Sequence, residues 1–511
     1  MRKTLLHDEG RSCRHASIAL ATAGMLLSGC AIHPVPLTKA EIAQTAKTDR
    51  GELFANQDAV KGPITLDEAM ARAVKYNLDN RVKMMEAALA HKQLGVANFD
   101  LLPQLTASAG YTDRDQVLAS RSVSFDNSGV TTVPPSYSSD KGVGTADLAF
   151  SWNVLDFGVS YFRAKEQADH VLVAQQERRK VMLLLTQQVR EAYWQEVGAQ
   201  KLRDRIGPLL AEANSALNDS RKSQSEGLKA PIEALGYQND LLNIVLQLET
   251  IRGQLDRAKP RLASLMNLDP GADYTLATSA DLEVPNLAMS MSEMESTALE
   301  SRPELIEASY TERISLNEAH KALVKLLPGI ELNAGTHYDS NSFLTYSSWQ
   351  DVGAHVVGNL FNVLNLKNIR GLNHAQMDLA HEQHLALTMA VLTQVHVASE
   401  DLAAMRRQFD LAKQIDDVDR QIFEHMHNAA QADAQGRLAE VQAATTAMMS
   451  ELRLYQTYGA LESAYGQLLA SIGLDPAPGQ TPDSDASAAR QALASGERQG
   501  TEAGQGAVAR K

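Results

Sequence analysis

From Leu66 the apolar positions recur at helical spacing: Leu66, Ala69, Met70, Ala73 and Val74 make one stripe, with the 3-, 4- and 7-residue steps of a helix face. Thr65 stands before Leu66-Asp67-Glu68, a hydroxyl cap followed by acids in the first turn. Pro103 stops the run, so a helix is predicted over Leu66–Phe99. The period then falls to two. Over Gln104–Asp115, Leu105, Ala107, Ala109 and Tyr111 alternate with Thr106, Ser108, Gly110 and Thr112, the pattern of a strand with unlike faces. A Ser/Pro/Gly-rich loop follows. Gly144–Asp156 alternates again, with Leu148, Phe150, Trp152 and Val154 against Asp147, Ala149, Ser151 and Asn153.

Helical spacing returns from Gly158 to about Lys222 with Pro208 as the sole proline. Those roughly 64 residues would span on the order of 95 Å. A turn is predicted at Gln224–Lys229, then Pro231 in a favourable first-turn position and a return helix to Asn267. That helix is too short to match its partner. Stacked on the helix 66–99, it equals the long one.

The same order recurs in the second half. Leu101-Leu102-Pro103-Gln104-Leu105 returns as Leu326-Leu327-Pro328-Gly329-Ile330, an offset of 225. Asn153-Val154-Leu155-Asp156-Phe157 returns as Asn362-Val363-Leu364-Asn365-Leu366 (offset 209), Leu262-Ala263-Ser264 as Leu469-Ala470-Ser471 (207) and Leu268-Asp269-Pro270 as Leu474-Asp475-Pro476 (206). An internal duplication is expected: a first repeat 64–270 with β-hairpin 104–156 and helical hairpin 158–267, a linker 271–292, and a second repeat 293–476 with β-hairpin 330–365 and helical hairpin 367–473. The second-copy strands are predicted at Ile330–Tyr338 and Asp351–Asn365, where Val352, Ala354, Val356, Gly358 and Leu360 oppose Asp351, Gly353, His355 and Asn359.

Strands with one apolar and one small or polar face fit a half-buried sheet of a soluble domain, or a membrane barrel with oil outside and water inside. Four strands are too few to close a barrel, and an open edge cannot sit in hydrocarbon. Three chains would give twelve strands, so a pore reading demands a trimer.

Composition changes the picture little. The 511 residues carry 62 Asp+Glu against 48 Lys+Arg and 5% aromatics; the acidic balance argues against a nucleic-acid partner. The N-terminus changes it more. Arg2, Lys3, Arg11 and Arg14 precede the apolar run Ser17–Gly29, which has signal-peptide length. Leu27-Ser28-Gly29-Cys30 closes it and looks like a bacterial lipobox, so 1–29 is expected to be cleaved and Cys30 to carry lipid. An ordinary secretory signal with a chance cysteine is the plainer alternative. Cys13 would leave with the signal, so no disulfide framework is expected. Ala31 follows Cys30, not the Asp that resembles an inner-membrane retention signal, which points to the outer membrane. Residues 30–63 are expected to be a lipidated extension along the outside, and 477–511, rich in Ala, Ser, Gly and Gln, a disordered tail.

These features together resemble the TolC-like outer-membrane efflux (channel) proteins, lipoprotein subgroup. The likeness covers about Thr65 to Pro476 and includes Leu66-Asp67-Glu68-Ala69, Arg302-Pro303-Glu304-Leu305 and Phe157-Gly158. It implies an α+β membrane protein: a trimeric twelve-stranded β-barrel, four strands per chain, continuous with a long α-helical, coiled-coil periplasmic barrel. It implies a passive exit duct of a tripartite efflux pump or type I secretion system. The partners would be a periplasmic adaptor and an inner-membrane transporter or ABC ATPase. The family's periplasmic tip carries a Gly-Leu turn and, five residues on, an acid. Gly227-Leu228 and Glu233 match it in the first copy, and offset 207 aligns Glu440 with Glu233. The second copy lacks the Gly-Leu pair in register, and a second ring acid is Ala443 here. Threefold symmetry would gather the glutamates near one axis, where like charges favour a bound cation; solvated helix acids are the alternative. Ile415-Asp416-Asp417-Val418-Asp419-Arg420 reads as a solvated face more readily than as a lumen lining.

No enzyme motif appears: no Gly-rich phosphate loop after a strand, no G-x-S-x-G elbow and no zinc-spaced Cys/His cluster. No catalytic residue, metal site or cofactor is expected beyond lipid on Cys30. His374, His381 and His384 lie near one helical face and read as exposed histidines rather than metal ligands. Met84-Met85, Met289, Met291, Met294 and Met448-Met449 read as packing before copper or silver export. The rival from another class is a structural periplasmic coiled-coil lipoprotein or adaptor without a pore, which has no need of strands with a lipid-compatible face.

Overall fold

The computed structural model describes residues 34–121, 123–126, 129–132, 134–227, 230–277, 282–359, 361–432 and 437–474. Cys30, Leu228, Gly436 and the tail from 477 lie outside these residues. The chain divides into Met1–Asp58 and Ala59–Lys511. In the first unit, α1 (Lys39–Leu53) starts with a capping box in which Thr38 and Glu41 bond reciprocally, and it has no buried residue.

The second unit opens with α2 (Leu66–Tyr76) and α3 (Leu78–Phe99). The single helix expected over 66–99 is therefore broken. Asn77 takes φ −58° and ψ 132°, and its Oδ1 accepts from Asp79 N and Asn80 N at 2.9 and 3.3 Å. An Asn side chain competes with the helix for backbone donors; here it ends one helix and caps the next. Then come β1 (Gln104–Asp113), the short ladders β2 (Ala119–Ser120) with β5 (Ser136–Tyr137) and β3 (Val123–Asp126) with β4 (Gly129–Thr132), and β6 (Gly142–Asn153). The expected loop is thus partly paired. Next are α4 (Val154–Ser225) and α5 (Pro231–Leu265).

The second half runs α6 (Met291–Ser301), α7 (Pro303–Val324), β7 (Gly329–Asp339), β8 (Ser348–Val357), α8 (Phe361–Ala432) and α9 (Arg437–Ile472). Helix lengths match between halves: 11 and 11, 22 and 22, 72 and 72, 35 and 36 residues. Both long helices begin earlier than expected, and the predicted strand ends at 156 and 365 are helical instead. Asn153 explains the first: its Oδ1 accepts from Leu155 N at 2.9 Å and Asp156 N at 3.3 Å, so β6 stops there and α4 starts. Asn359 Oδ1 does the same for Phe361 N at 3.0 Å. The recurring Asn-Val-Leu motif thus stands at a helix entry in both halves, with the capping side chain supplied by Asn153 of the motif in the first and by Asn359, three residues before the motif, in the second.

The four long strands form one antiparallel sheet in the order β1-β6-β7-β8. The helices above it keep that order: α3 packs on α4, α4 on α7 and α7 on α8. Ion pairs stitch α4 to its neighbours: Lys83–Glu177 at 2.9 Å on one side, Lys180–Glu307 at 2.7 Å and Lys321–Glu166 at 2.5 Å on the other. Lower down, α5 packs on α4, α4 on α9 and α9 on α8. Leu202, Leu241, Leu248 and Leu255 are fully buried in that lower coil. The levels meet where Asn77 Nδ2 donates to Leu265 O at 3.2 Å, end of α5 to start of α3. In the second half Arg302 bonds Ser471 O at 3.2 Å, and Arg179 bonds Ser301 O and Gly473 O. Each long helix, about 108 Å at ~1.5 Å per residue, thus runs beside two short ones set end to end. A core around Tyr193, Trp194, Phe409 and Tyr458 fills this middle level.

Candidate functional site: a slab with two open flanks

Alternation in the four strands produces two unlike faces. Register partners share a face, so Leu105, Phe150, Ala334 and Val352 form one cross-sheet row. Trp152, Leu332 and Ala354 form the next. Much of this face is bare: Leu105 is 67% and Val352 87% exposed, while Trp152 at one end packs edge-on against Phe157 of α4 at 5.9 Å. Fully covering one such side chain is worth about 1.5–3 kcal/mol, so a bare face of this kind is costly in water. The strands are 10, 12, 11 and 10 residues long, close to the ~9–11 a tilted strand needs to cross a bilayer.

The opposite face is polar. Ser108, Asp147, His337 and Trp349 are in register across all four strands. Asp147 accepts from Ser108 Oγ at 3.1 Å and bonds His337 Nδ1 at 2.7 Å; His337 Nε2 lies 3.2 Å from Asp351. The imidazole stacks on Trp349 at 5.3 Å and 19°. A Cβ on Gly335 would stand 2.6 Å from His337 Nε2 and 2.9 Å from Asp351 Oδ1, so glycine leaves the room for this contact. Sequence reasoning singled out none of this row. Its alternating pattern marks the face, but the His337–Asp147 pair joins strands 190 residues apart.

Beyond the strands the two hairpin turns interlock. Asp140 accepts from Ser342 N and Oγ, Asn341 Nδ2 donates to Ser138 O at 3.0 Å, and Tyr137 meets Phe343 edge-on at 5.4 Å.

The sheet's outer strands, β1 and β8, are paired on one side only. Unpartnered apolar stripes continue both flanks along the helices. On the β1 side are Val82, Met85, Leu89, Val96 and Phe99 of α3, then Leu235, Leu242 and Leu246 of α5. On the β8 side α8 shows Leu372, Leu379, Met389, Leu411, Val418 and Ile422.

At the far end, Gly227 takes φ +68° after α4, the left-handed turn conformation that glycine adopts without strain. Glu233 lies exposed in the first turn of α5. Glu440 lies in the first turn of α9 and meets His427 Nδ1 of α8 at 2.6 Å. A groove of about 230 Å³ beside it is lined by Asp419, Ile422, Met426, Gln442 and Thr446. Asp416 departs from the solvated face expected for 415–420: it is 3% exposed and bonded to Arg420. His381 and His384 sit 3.4 and 3.7 Å from Glu312 of α7. Among the described residues no group of three His, Cys, Asp or Glu is placed to hold a metal ion.

Among the described residues no helix is long and apolar enough to cross a membrane. Residues 74–268 match the family model described as Outer membrane efflux protein. A comparison with curated protein sequences finds no match. Solved structures share the fold at low identity. The CmeC outer membrane channel of Campylobacter jejuni aligns at 14% identity and TM-score 0.65, over 85% of this chain and 94% of that one. The open-state MtrE outer membrane channel of Neisseria gonorrhoeae gives 15% and 0.59, over 84% and 96%. The outer membrane protein VceC of Vibrio cholerae gives 15% and 0.57, over 80% and 96%. The chain thus has the fold of the TolC-like outer-membrane channels and, over residues 74–268, matches the outer membrane efflux protein family.

Proposed function

We propose that the chain is one third of an outer-membrane conduit, built from two copies of one structural unit. It would serve as the exit duct of an efflux pump or type I secretion system. The observation that carries this reading is the pair of open flanks. At every level the chain is a slab four elements wide or wider, with unpaired backbone or bare apolar side chains on both lateral margins. Backbone groups left open in hydrocarbon cost several kcal/mol each, so β8 of one copy must meet β1 of the next. Three copies make twelve strands, with the apolar rows toward lipid and the polar face toward water. The α3 and α5 stripes would then cover the α8 stripe of a neighbour.

The conduit has no energy-coupling chemistry in this reading. A periplasmic adaptor and an inner-membrane transporter or ATPase would supply the drive and dilate the helical tip, where Gly227, Glu233 and Glu440 would lie in three copies. Cys30 would carry the acyl chains that anchor the N-terminus, since more than one chain is needed for stable anchoring. Labelled palmitate should enter the wild-type protein and not Cys30→Ser; equal labelling refutes that assignment. The pore itself is tested by planar-bilayer recording of the purified protein. Discrete conductance steps are expected, and a protein that inserts without conducting contradicts the conduit.

A further inference from the structure

The polar face of the sheet carries more order than a water-filled wall requires. Side chains from four strands make one level: Ser108 on β1, Asp147 on β6, His337 on β7 and Trp349 with Asp351 on β8. Asp147 and Asp351 clamp the imidazole from both ring nitrogens, and the indole fixes its plane. The carboxylates stay in reach of solvent, with side chains 35% and 55% exposed.

The charge balance at this level is one-sided. Even with His337 charged, each copy keeps one carboxylate more than it has cations. The rest of the face adds Glu331 and Asp339, offset only by His355. None of the four strands contains a lysine or arginine anywhere along its length. A lumen lined by one sign of charge between low-dielectric walls raises the local concentration of the opposite ion and repels the like one.

We propose that the Ser108–Asp147–His337–Asp351 row is a charge filter in the barrel, which admits cationic and neutral solutes and holds back anions. It rests on the conduit reading, since only closure of three sheets turns the row into a ring. It also gives a substrate class: cargo that is cationic or uncharged when it reaches the barrel. Trp349, 44% exposed and stacked on the imidazole that both carboxylates bond, adds an aromatic surface suited to organic cations.

The test is the reversal potential in a KCl gradient across a planar bilayer, with oligomeric state checked for each variant. The wild type should prefer K⁺ over Cl⁻. Asp147→Asn with Asp351→Asn should lower that preference by about threefold or more. Ser108→Lys adds a cation at the β1 end of the same row, beside Asp147, and should shift the ratio the same way. The shifts should persist in a chain that also carries Glu233→Gln and Glu440→Gln, which separates the barrel from the tip. Conducting variants that keep the wild-type ratio overturn the filter and leave the conduit standing. A wild type with no conductance overturns both.

Discussion

At the scale of single residues, burial decides which charges matter. Asp416 is buried, and burial pushes its carboxyl above the ordinary value, with Arg420 pulling the other way. Buried Glu196 and Glu462 shift in the same direction for the same cause. The folded-state value exceeds the unfolded one, so the stabilisation is complete below the unfolded carboxyl range, ~4, and is lost as pH rises through the folded value. Asp416→Asn removes that loss. Its thermal midpoint should therefore gain on the wild type between pH 4.5 and 7.5; a variant that falls further behind at pH 7.5 contradicts the sign. The periodic pattern could not reveal this burial, because Asp416 opens the exposed-looking acidic run Asp416-Asp417-Val418-Asp419. The equivalence of Glu233 and Glu440 was legible: the offset of 207 aligned them, and each stands in the first turn of a return helix. The His427 partner was not, since it lies 13 residues back on α8. Glu233→Gln with Glu440→Gln should change divalent-cation block of the pore; identical conductance in divalent salt removes the glutamates from a gate role.

At the scale of elements, the length match between one 72-residue helix and two shorter ones is the feature that the hydrophobic period exposed. Repeats and proline stops carried it. The junctions were hidden because they depend on single side chains that compete with the backbone. Asn77 is the example: it breaks the predicted helix, caps α3 and bonds the carbonyl of Leu265. Asn77→Ala should cost about 2 kcal/mol, a lost cap plus an orphaned carbonyl, read as a lower denaturation midpoint of the detergent-solubilised protein. A change below measurement error would mean that the end-to-end joint contributes nothing. The strand ends were misplaced for the same reason, with Asn153 and Asn359 starting helices earlier than alternation alone suggests.

At the scale of the whole molecule, the lateral order is the same idea repeated: β1-β6-β7-β8 in the sheet, α3-α4-α7-α8 above, α5-α4-α9-α8 below. Each order leaves its first and last member uncovered, and α8 is last at both helical levels. A soluble monomer would pay for these margins in exposed apolar area; a ring of copies covers them. The decisive measurement is native mass spectrometry of the full-length protein released from gentle detergent micelles. The account predicts one dominant species of three chains, stable to dilution. Stable single chains, or any closed assembly of another number, would contradict it.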